Sequence, residues 1–395
     1  MQIMFGRLSG PFSPLLLIYA VAFEQKGGLI QISSKPLLKR YIPFRLYWQA
    51  HLFLPPDNYR DKILRLMARS IAFREALREA MTEEMRRDDR VFLMGEEVAE
   101  YNGAYKVSQG MLAEFGPKRV IDTPISELGF TAVGVGAAQN GLRPIVEYMT
   151  WNFAVLALDQ ILNTASKMLA MSGGQVSCPI VFRGGSGSAG QLGAQHSTAF
   201  EALYANIPGI KVVSPSTGYD AKGLLKQAIR YEEDPVMFME SEVMYGDKSE
   251  VPEEEYYIEL GKADVKKVGR DVTIVSFNKM MKVALGAADE LEKEGISAEV
   301  IDLRTIRPLD WMTILESVKK TNRLVIVEEQ WPFASISSEI TYTIQKEGFD
   351  YLDAPIRRIT AADAPLHYAP NLVAAALPDV SRTVKLVKDV MYMKK

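Results

Sequence analysis

Thr123-Pro-Ile-Ser-Glu-Leu-Gly-Phe130 is the stretch from which the rest of the chain can be read. An extended segment ends there, and a helix rich in small residues follows, with Gly134, Gly136, Ala137 and Ala138. Ser126 is placed to act as the N-cap. Glu127 then falls in the first helical turn, where the helix dipole favours negative charge. Each glycine inside the helix costs about 1 kcal/mol relative to alanine, and a helix carrying that cost is expected to pack very closely on its neighbours. A fixed carboxylate beside such a helix suits a site for a flat ligand. The competing reading is that Glu127 completes a helix start and does nothing more.

On either side of this run, short apolar segments alternate with helical ones. Strands are expected at 91–94, 144–148, 179–182, 211–213, 236–239, 272–276, 298–301 and 324–327. Helices are expected at 71–87, 127–140, 153–171, 218–231, 279–294, 310–320 and 334–347. In the first of these, Ile71, Ala72, Leu77, Ala80, Met81 and Met85 lie on or near one face. Unbroken apolar strands separated by helices predict an α/β fold of parallel sheets covered on both faces. The rhythm breaks at 246–270, which is acidic, contains Pro252 and shows no pattern in its first half. A boundary there predicts one α/β domain over 67–250, a linker over 251–264 and a second α/β domain over 265–395. Residues 1–66 lack sustained periodicity and read as an extension, either upstream of a natural start at Met67 or a targeting segment.

Composition narrows the function classes. The 395 residues are 48% hydrophobic and 24% charged with a net charge of −3, which gives no reason to expect nucleic acid as a partner. The single cysteine, Cys178, excludes an internal disulfide and a multi-cysteine metal site. His51, His196 and His367 are too scattered to suggest zinc. No segment reaches the ~20 apolar residues needed to span a bilayer; residues 14–23 come nearest.

Other clusters carry chemistry. Residues 183–198 (Arg-Gly-Gly-Ser-Gly-Ser-Ala-Gly-Gln-Leu-Gly-Ala-Gln-His-Ser-Thr) form a glycine loop after a strand and permit close ligand approach. No Gly-Lys-Ser/Thr closes it, so it is not a P-loop. His196 ends the loop and is expected to open the next helix, as a proton donor and acceptor or as a structural histidine. Phe153 or Trp151 is placed to cover a heterocycle, with core packing as the alternative, and Met168, Met171, Met237, Met239 and Met244 read as core filling. Arg304 and Arg307 suit an anion or an interface, Asp310 suits an N-cap, and Glu328–Pro332 reads as surface or docking acid. No acidic cluster has the spacing of a Mg²⁺–diphosphate site.

From about Ser70 onward the chain resembles the β subunits of the E1 component of 2-oxo acid dehydrogenase complexes, in particular those of pyruvate dehydrogenase. The resemblance rests on Gly95-Glu-Glu-Val-Ala99, Asn102-Gly-Ala-Tyr-Lys-Val-Ser108, Ile121–Phe130, Ala194-Gln-His-Ser197, Leu303-Arg-Thr-Ile-Arg-Pro308 and Asp353-Ala-Pro355. It implies a thiamine diphosphate pyrimidine-binding fold followed by a transketolase-type C-terminal domain. It also implies an α2β2 assembly in which the α subunit holds Mg²⁺ and the diphosphate. The reaction implied is decarboxylation of pyruvate, with transfer of the acetyl group to a lipoyl arm of the E2 acyltransferase. By the same resemblance Glu127 is the carboxylate facing the aminopyrimidine, and His196 is the active-site histidine. Phe153 packs on the pyrimidine, and Leu156 stands where some members carry a polar glutamine. A potassium ion is implied on carbonyls of Ile180, Ala228, Ile229 and Asp234. The compartment expected is the bacterial cytoplasm, or a mitochondrial matrix or plastid if the head is a targeting segment. The rival readings are the β subunit of a branched-chain 2-oxo acid or acetoin dehydrogenase and, in another class, a non-catalytic ligand-binding or electron-transfer subunit.

Overall fold

The computed structural model describes residues 68–392, and the expectations for residues 1–66 and Met67 lie outside them. Fourteen strands run in chain order among the described residues: β1 (Ala68–Ala72), β2 (Val91–Gly95), β3 (Val120–Asp122), β4 (Arg143–Thr150), β5 (Val181–Gly185), β6 (Lys211–Val213), β7 (Val236–Glu240), β8 (Lys248–Pro252), β9 (Asp264–Lys267), β10 (Val272–Ser276), β11 (Ala298–Asp302), β12 (Thr305–Arg307), β13 (Leu324–Val327) and β14 (Arg357–Ile359). The long helices are α1 (Phe73–Arg87), α2 (Glu127–Gln139), α3 (Gly218–Arg230), α4 (Met280–Lys293), α5 (Trp311–Thr321), α6 (Ile336–Gly348) and α7 (Val380–Val390).

A seven-stranded sheet has the order β12-β6-β7-β5-β4-β2-β3, and all its pairings are parallel except β12 with β6. A five-stranded sheet has the order β14-β13-β10-β11-β9, and only β9 runs antiparallel to its neighbour. The central strands are apolar because both faces are covered. Phe182, Met237, Val275 and Ile326 are all fully buried, each such side chain contributing about 1.5–3 kcal/mol on leaving water. One face of each sheet shares a single apolar cluster, with Val146, Phe182 and Met237 from the first sheet and Val275, Ile301 and Ile326 from the second. The outer face of the first sheet is covered by α1 and α3, that of the second by α4 and α7.

Several expectations change in detail. Ile71 and Ala72 do not begin the first helix. They extend β1, which pairs antiparallel with β8 inside the acidic stretch that showed no local pattern. α1 starts after Ala72, whose N–H donates to Glu75 Oε2 at 2.8 Å. The helix expected at 153–171 is broken into a turn at Trp151–Ala154, a 3₁₀ turn at Val155–Ala157, a π segment at Gln160–Ala165 and a last turn at Met168–Met171. Ser166 causes part of this: its N–H reaches back to Ile161 O, and its hydroxyl donates to Leu162 O at 2.7 Å. Met171 is exposed rather than core, while Met237, Met239 and Met244 are buried. β12, from the C-terminal block, completes the edge of the first sheet beside β6.

Candidate active site

The site grows from the carboxyl ends of the parallel strands of the first sheet, where an open α/β sheet offers a crevice. Two connections meet there. The Asp122 carboxylate at the end of β3 accepts from Ala99 N at 2.7 Å and Glu100 N at 3.0 Å, tying the loop after β2 to the entry of α2. That tie sets Glu96 beside Glu127. Both carboxyls are 6% exposed and stand within hydrogen-bond reach of each other. Burial first, then the neighbouring Glu127, pushes Glu96 up to about 7. Glu96 therefore stays protonated over much of the range in which an ordinary glutamate is ionised. Glu96 Oε1 is buried without a partner. Glu96 was not singled out as a site residue from the sequence, although it stands in Gly95-Glu-Glu-Val-Ala99, directly after an apolar strand.

α2 behaves as its glycines suggest on one side only. A side chain at Gly134 would lie 2.8 Å from Val146 Cγ2, so the helix needs glycine there to rest on β4. Gly136 meets nothing within 4 Å. Ser126 occupies the N-cap position, but its side chain makes no capping bond. Glu127 therefore turns inward to the pair with Glu96 instead of completing a water-exposed helix start.

Trp151 and Phe153 separate cleanly. Trp151 is fully buried against the Tyr148 and Tyr204 rings. Phe153 is 36% exposed and meets the His196 ring edge-to-face, with centroids 5.1 Å apart at 85°. Thr150 Oγ1 anchors this turn by accepting from Asn152 Nδ2 at 2.8 Å, and Asn152 Oδ1 accepts from Thr198 N at 3.1 Å. The β4 and β5 loops are thereby locked together. His196 does not open a helix: it closes a 3₁₀ turn at Ala194–His196, and the next helix begins at Glu201. Glu242, just after β7, faces His196 and hydrogen-bonds Tyr105, and burial raises its carboxyl above the ordinary range. Leu156 is 59% exposed on the turn that packs against α2. The arrangement joins a carboxyl pair, an open aromatic face and an imidazole at one sheet edge.

The four positions read as a potassium cradle lie at the opposite edge, at or near the amino ends of β5 and β7. Ile180 O accepts from Val236 N, and Ala228 O from Tyr231 N. Ile229 O accepts from the Arg143 guanidinium at 2.9 Å. The Asp234 carboxylate faces Lys211 Nζ at 3.5 Å. A fixed guanidinium already fills the cationic role at Ile229, and a second cation beside it would meet like charge. The surroundings of Ile229 therefore disfavour a potassium ion there. Among the described residues no group of three or more His, Cys, Asp or Glu side chains is placed to hold a metal ion.

The family models Transketolase, pyrimidine binding domain and Transketolase, C-terminal domain match residues 69–248 and 261–382. The pyruvate dehydrogenase E1 component subunit beta of Rhizobium meliloti (strain 1021) is 57% identical over 324 residues, covering 82% of this chain and 70% of that protein. The chain belongs to the family of pyruvate dehydrogenase E1 component β subunits. Its counterpart from Rickettsia felis is 56% identical over 322 residues, covering 82% of this chain and 98% of that protein. The beta-2, mitochondrial, subunit of Oryza sativa subsp. japonica is 53% identical over 329 residues, covering 82% and 87%. In three dimensions the E1 β chain is similar to a split-gene transketolase described as an inactive β4 tetramer. The TM-score is 0.66 at 23% identity, with 82% of this chain and 99% of that chain covered, which speaks to the fold alone. No described helix is long and apolar enough to cross a membrane.

Proposed function

We propose that this E1 β chain supplies the pyrimidine half of a thiamine diphosphate site, and that with an E1 α subunit in an α2β2 assembly it decarboxylates pyruvate and delivers the acetyl group to the lipoyl arm of E2. The observation that carries the reading is the buried Glu96–Glu127 carboxyl pair at the edge where Phe153 and His196 meet. The residues fit the cofactor's aminopyrimidine end: a carboxylate for a ring nitrogen, an orphaned buried oxygen at Glu96, and an aromatic face at Phe153 for a flat heterocycle. When bound, thiamine diphosphate supplies the carbon nucleophile and electron sink for decarboxylation.

The chain's own residues then divide the work. Glu127 holds the ring through its carboxylate, and Glu96, raised to about 7, still holds its proton in part at neutral pH, which lowers the negative charge beside the ring. Phe153 and Leu156 exclude water beside the ring, and His196 offers a ring nitrogen as proton donor or acceptor to the substrate. We assign Mg²⁺ and the diphosphate to the α subunit, give potassium no role, and place the enzyme in the bacterial cytoplasm, following the identity to bacterial relatives. The chain is proposed to divide into the domains 67–250 and 265–395 joined by 251–264.

The test is co-expression with candidate α chains, purification of the complex and assay of 2-oxo acids with thiamine diphosphate. Pyruvate turnover well above that of branched-chain acids is expected. A complex preferring branched-chain acids or acetoin would overturn the substrate, and a yellow, flavin-containing chain without activity would overturn the whole reading.

A further inference from the structure

The loop that delivers His196 is gripped from outside its own sheet. Ser188 is 7% exposed, and its carbonyl and hydroxyl oxygens each lie 2.6 Å from Lys279 Nζ. Lys279, just after β10 and 6% exposed, pairs with Glu329 Oε2 at 2.6 Å. Glu329, just after β13, accepts from Ser188 N and from Ser188 Oγ, both at 3.1 Å. The fit leaves no slack. Gly187 has φ 79°, and a β-carbon there would fall 1.4 Å from Glu329 Oε1. At Gly193, also at φ 79°, a β-carbon would fall 2.4 Å from the Tyr368 ring. Lys279 also faces Glu242, the carboxyl that faces His196. Glu329 and Trp331 form one wall of a small cavity whose other wall is the His196 turn, at Ala194, Ser197 and Thr198.

We propose that Lys279 is a positioning residue: its ion pair with Glu329 clamps Ser188 and so fixes the glycine loop that holds His196 against Phe153. The inference rests on the role given to His196 above. A buried lysine–carboxylate pair is a weak source of net stability, because desolvation offsets most of the attraction. Fixing one geometry for a loop rich in glycine, which has many alternatives, is the better explanation for it. The loop runs from residue 186 to 193. Thr198 N, donating to Asn152 Oδ1, anchors the far side of His196. The clamp supplies the fixing on the loop side, and its loss lets the imidazole shift by more than the fraction of an ångström that catalysis tolerates.

The test uses the assembled α–β complex carrying Lys279→Met, Lys279→Arg, or the double change Lys279→Met with Glu329→Leu, which leaves no unpaired buried charge if the single variant fails to assemble. kcat should fall about 30-fold in Lys279→Met and in the double variant, with thiamine diphosphate affinity within about twofold of wild type, and Lys279→Arg should recover most of the loss. Diethyl pyrocarbonate modification, mapped by mass spectrometry, should quicken at His196 by about fivefold relative to His367 in the same sample. That second readout does not depend on which 2-oxo acid is used, so it separates failure of the clamp from failure of the substrate assignment. Unchanged His196 reactivity with kcat within about twofold of wild type in both Met variants would overturn the proposal. So would a loss in Lys279→Arg equal to that in Lys279→Met.

Discussion

The two parallel sheets follow the same construction rule and use their carboxyl ends differently. In the seven-stranded sheet the strand ends carry Glu96 after β2, Glu127 after β3, Phe153 after β4, His196 after β5 and Glu242 after β7. In the five-stranded sheet the equivalent ends turn toward the first sheet and hold it. Asn278, after β10, donates to Ser214 Oγ at 2.8 Å. Asp302, at the end of β11, accepts from Ser216. Arg304 pairs with Asp220 at 2.7 Å, and Gln330, after β13, donates to Glu201 at 2.6 Å. Loop length accounts for part of the difference. After β2 and β5 some fifteen residues pass before the next helix, whereas β10 is followed by α4 within four. The long loops after β2 and β5 present Glu96 and His196, while Glu127 and Phe153 reach the same side from connections of four residues or fewer. What sets the second sheet apart is that its strand ends face the packed first sheet. Arg304 and Arg307 accordingly act as interface anchors, and Glu328, Glu329 and Gln330 are drawn inward rather than displayed as docking acid.

The sharpest way to break this comparison is to remove charge on the ligand side. Glu127→Gln should cost about three orders of magnitude in turnover while leaving assembly with the α subunit and thermal stability intact, because the amide keeps the shape of the side chain and removes only the carboxylate that holds the ring. Turnover and circular-dichroism melting of the same preparation check it. Near-normal turnover would return Glu127 to the role of a helix start. The counterpart on the holding side is Arg304→Met. Asp220 is fully buried, its carboxyl is held down to about 2 by Lys266 and Arg304 against the penalty of burial, and Lys266 would be its one remaining cationic partner. A loss of about 3 kcal/mol in urea unfolding is expected, with kcat of the folded complex within about twofold of wild type. If turnover fell and stability did not, the division between the two sheet ends would be wrong.

Much of the fold was legible because its signals are local. The five buried residues of β10 stand where an unbroken apolar run was read, and the run 127–140 became α2 almost to the residue. Asp310 caps α5 as its position suggested, accepting from Thr313 N at 3.2 Å. What was missed depends on distant partners. β1 and β8 are strands only because each is the other's edge, about 180 residues away. The break at Ser166 turns on a hydroxyl choosing a carbonyl in its own helix, which no periodicity records. The candidate site divides in the same way. His196 stood in a quoted motif and Phe153 was one of two aromatic candidates, and the structure sets the two ring to ring. Glu96 and the Lys279–Glu329 clamp acquire meaning from neighbours 31, 91 and 141 residues away.

The smallest expected effect is also the most specific to the carboxyl pair. Glu96 carries a raised value of about 7 in the fold against an ordinary 4.5. Below the ordinary value folded and unfolded chains both hold the proton, and Glu96 adds no pH dependence. As pH rises from about 4.5 to 7 the unfolded chain releases that proton while the folded chain keeps it, so the unfolded state binds fewer protons and stability falls. Above about 7 both forms are ionised, and the loss is complete and constant. Glu96→Gln retains a neutral hydrogen-bonding side chain at every pH and escapes this decline. The gain in melting temperature of the variant over wild type should therefore grow between pH 5 and 7 and level off above it. Glu201, also raised to about 7, and Asp302, raised to about 6, titrate alike in both proteins and cancel in the difference. A difference that stays flat across this window would mean that Glu96 is ionised throughout. The ligand edge of the first sheet would then carry the Glu96 charge across the whole window instead of gaining it near pH 7.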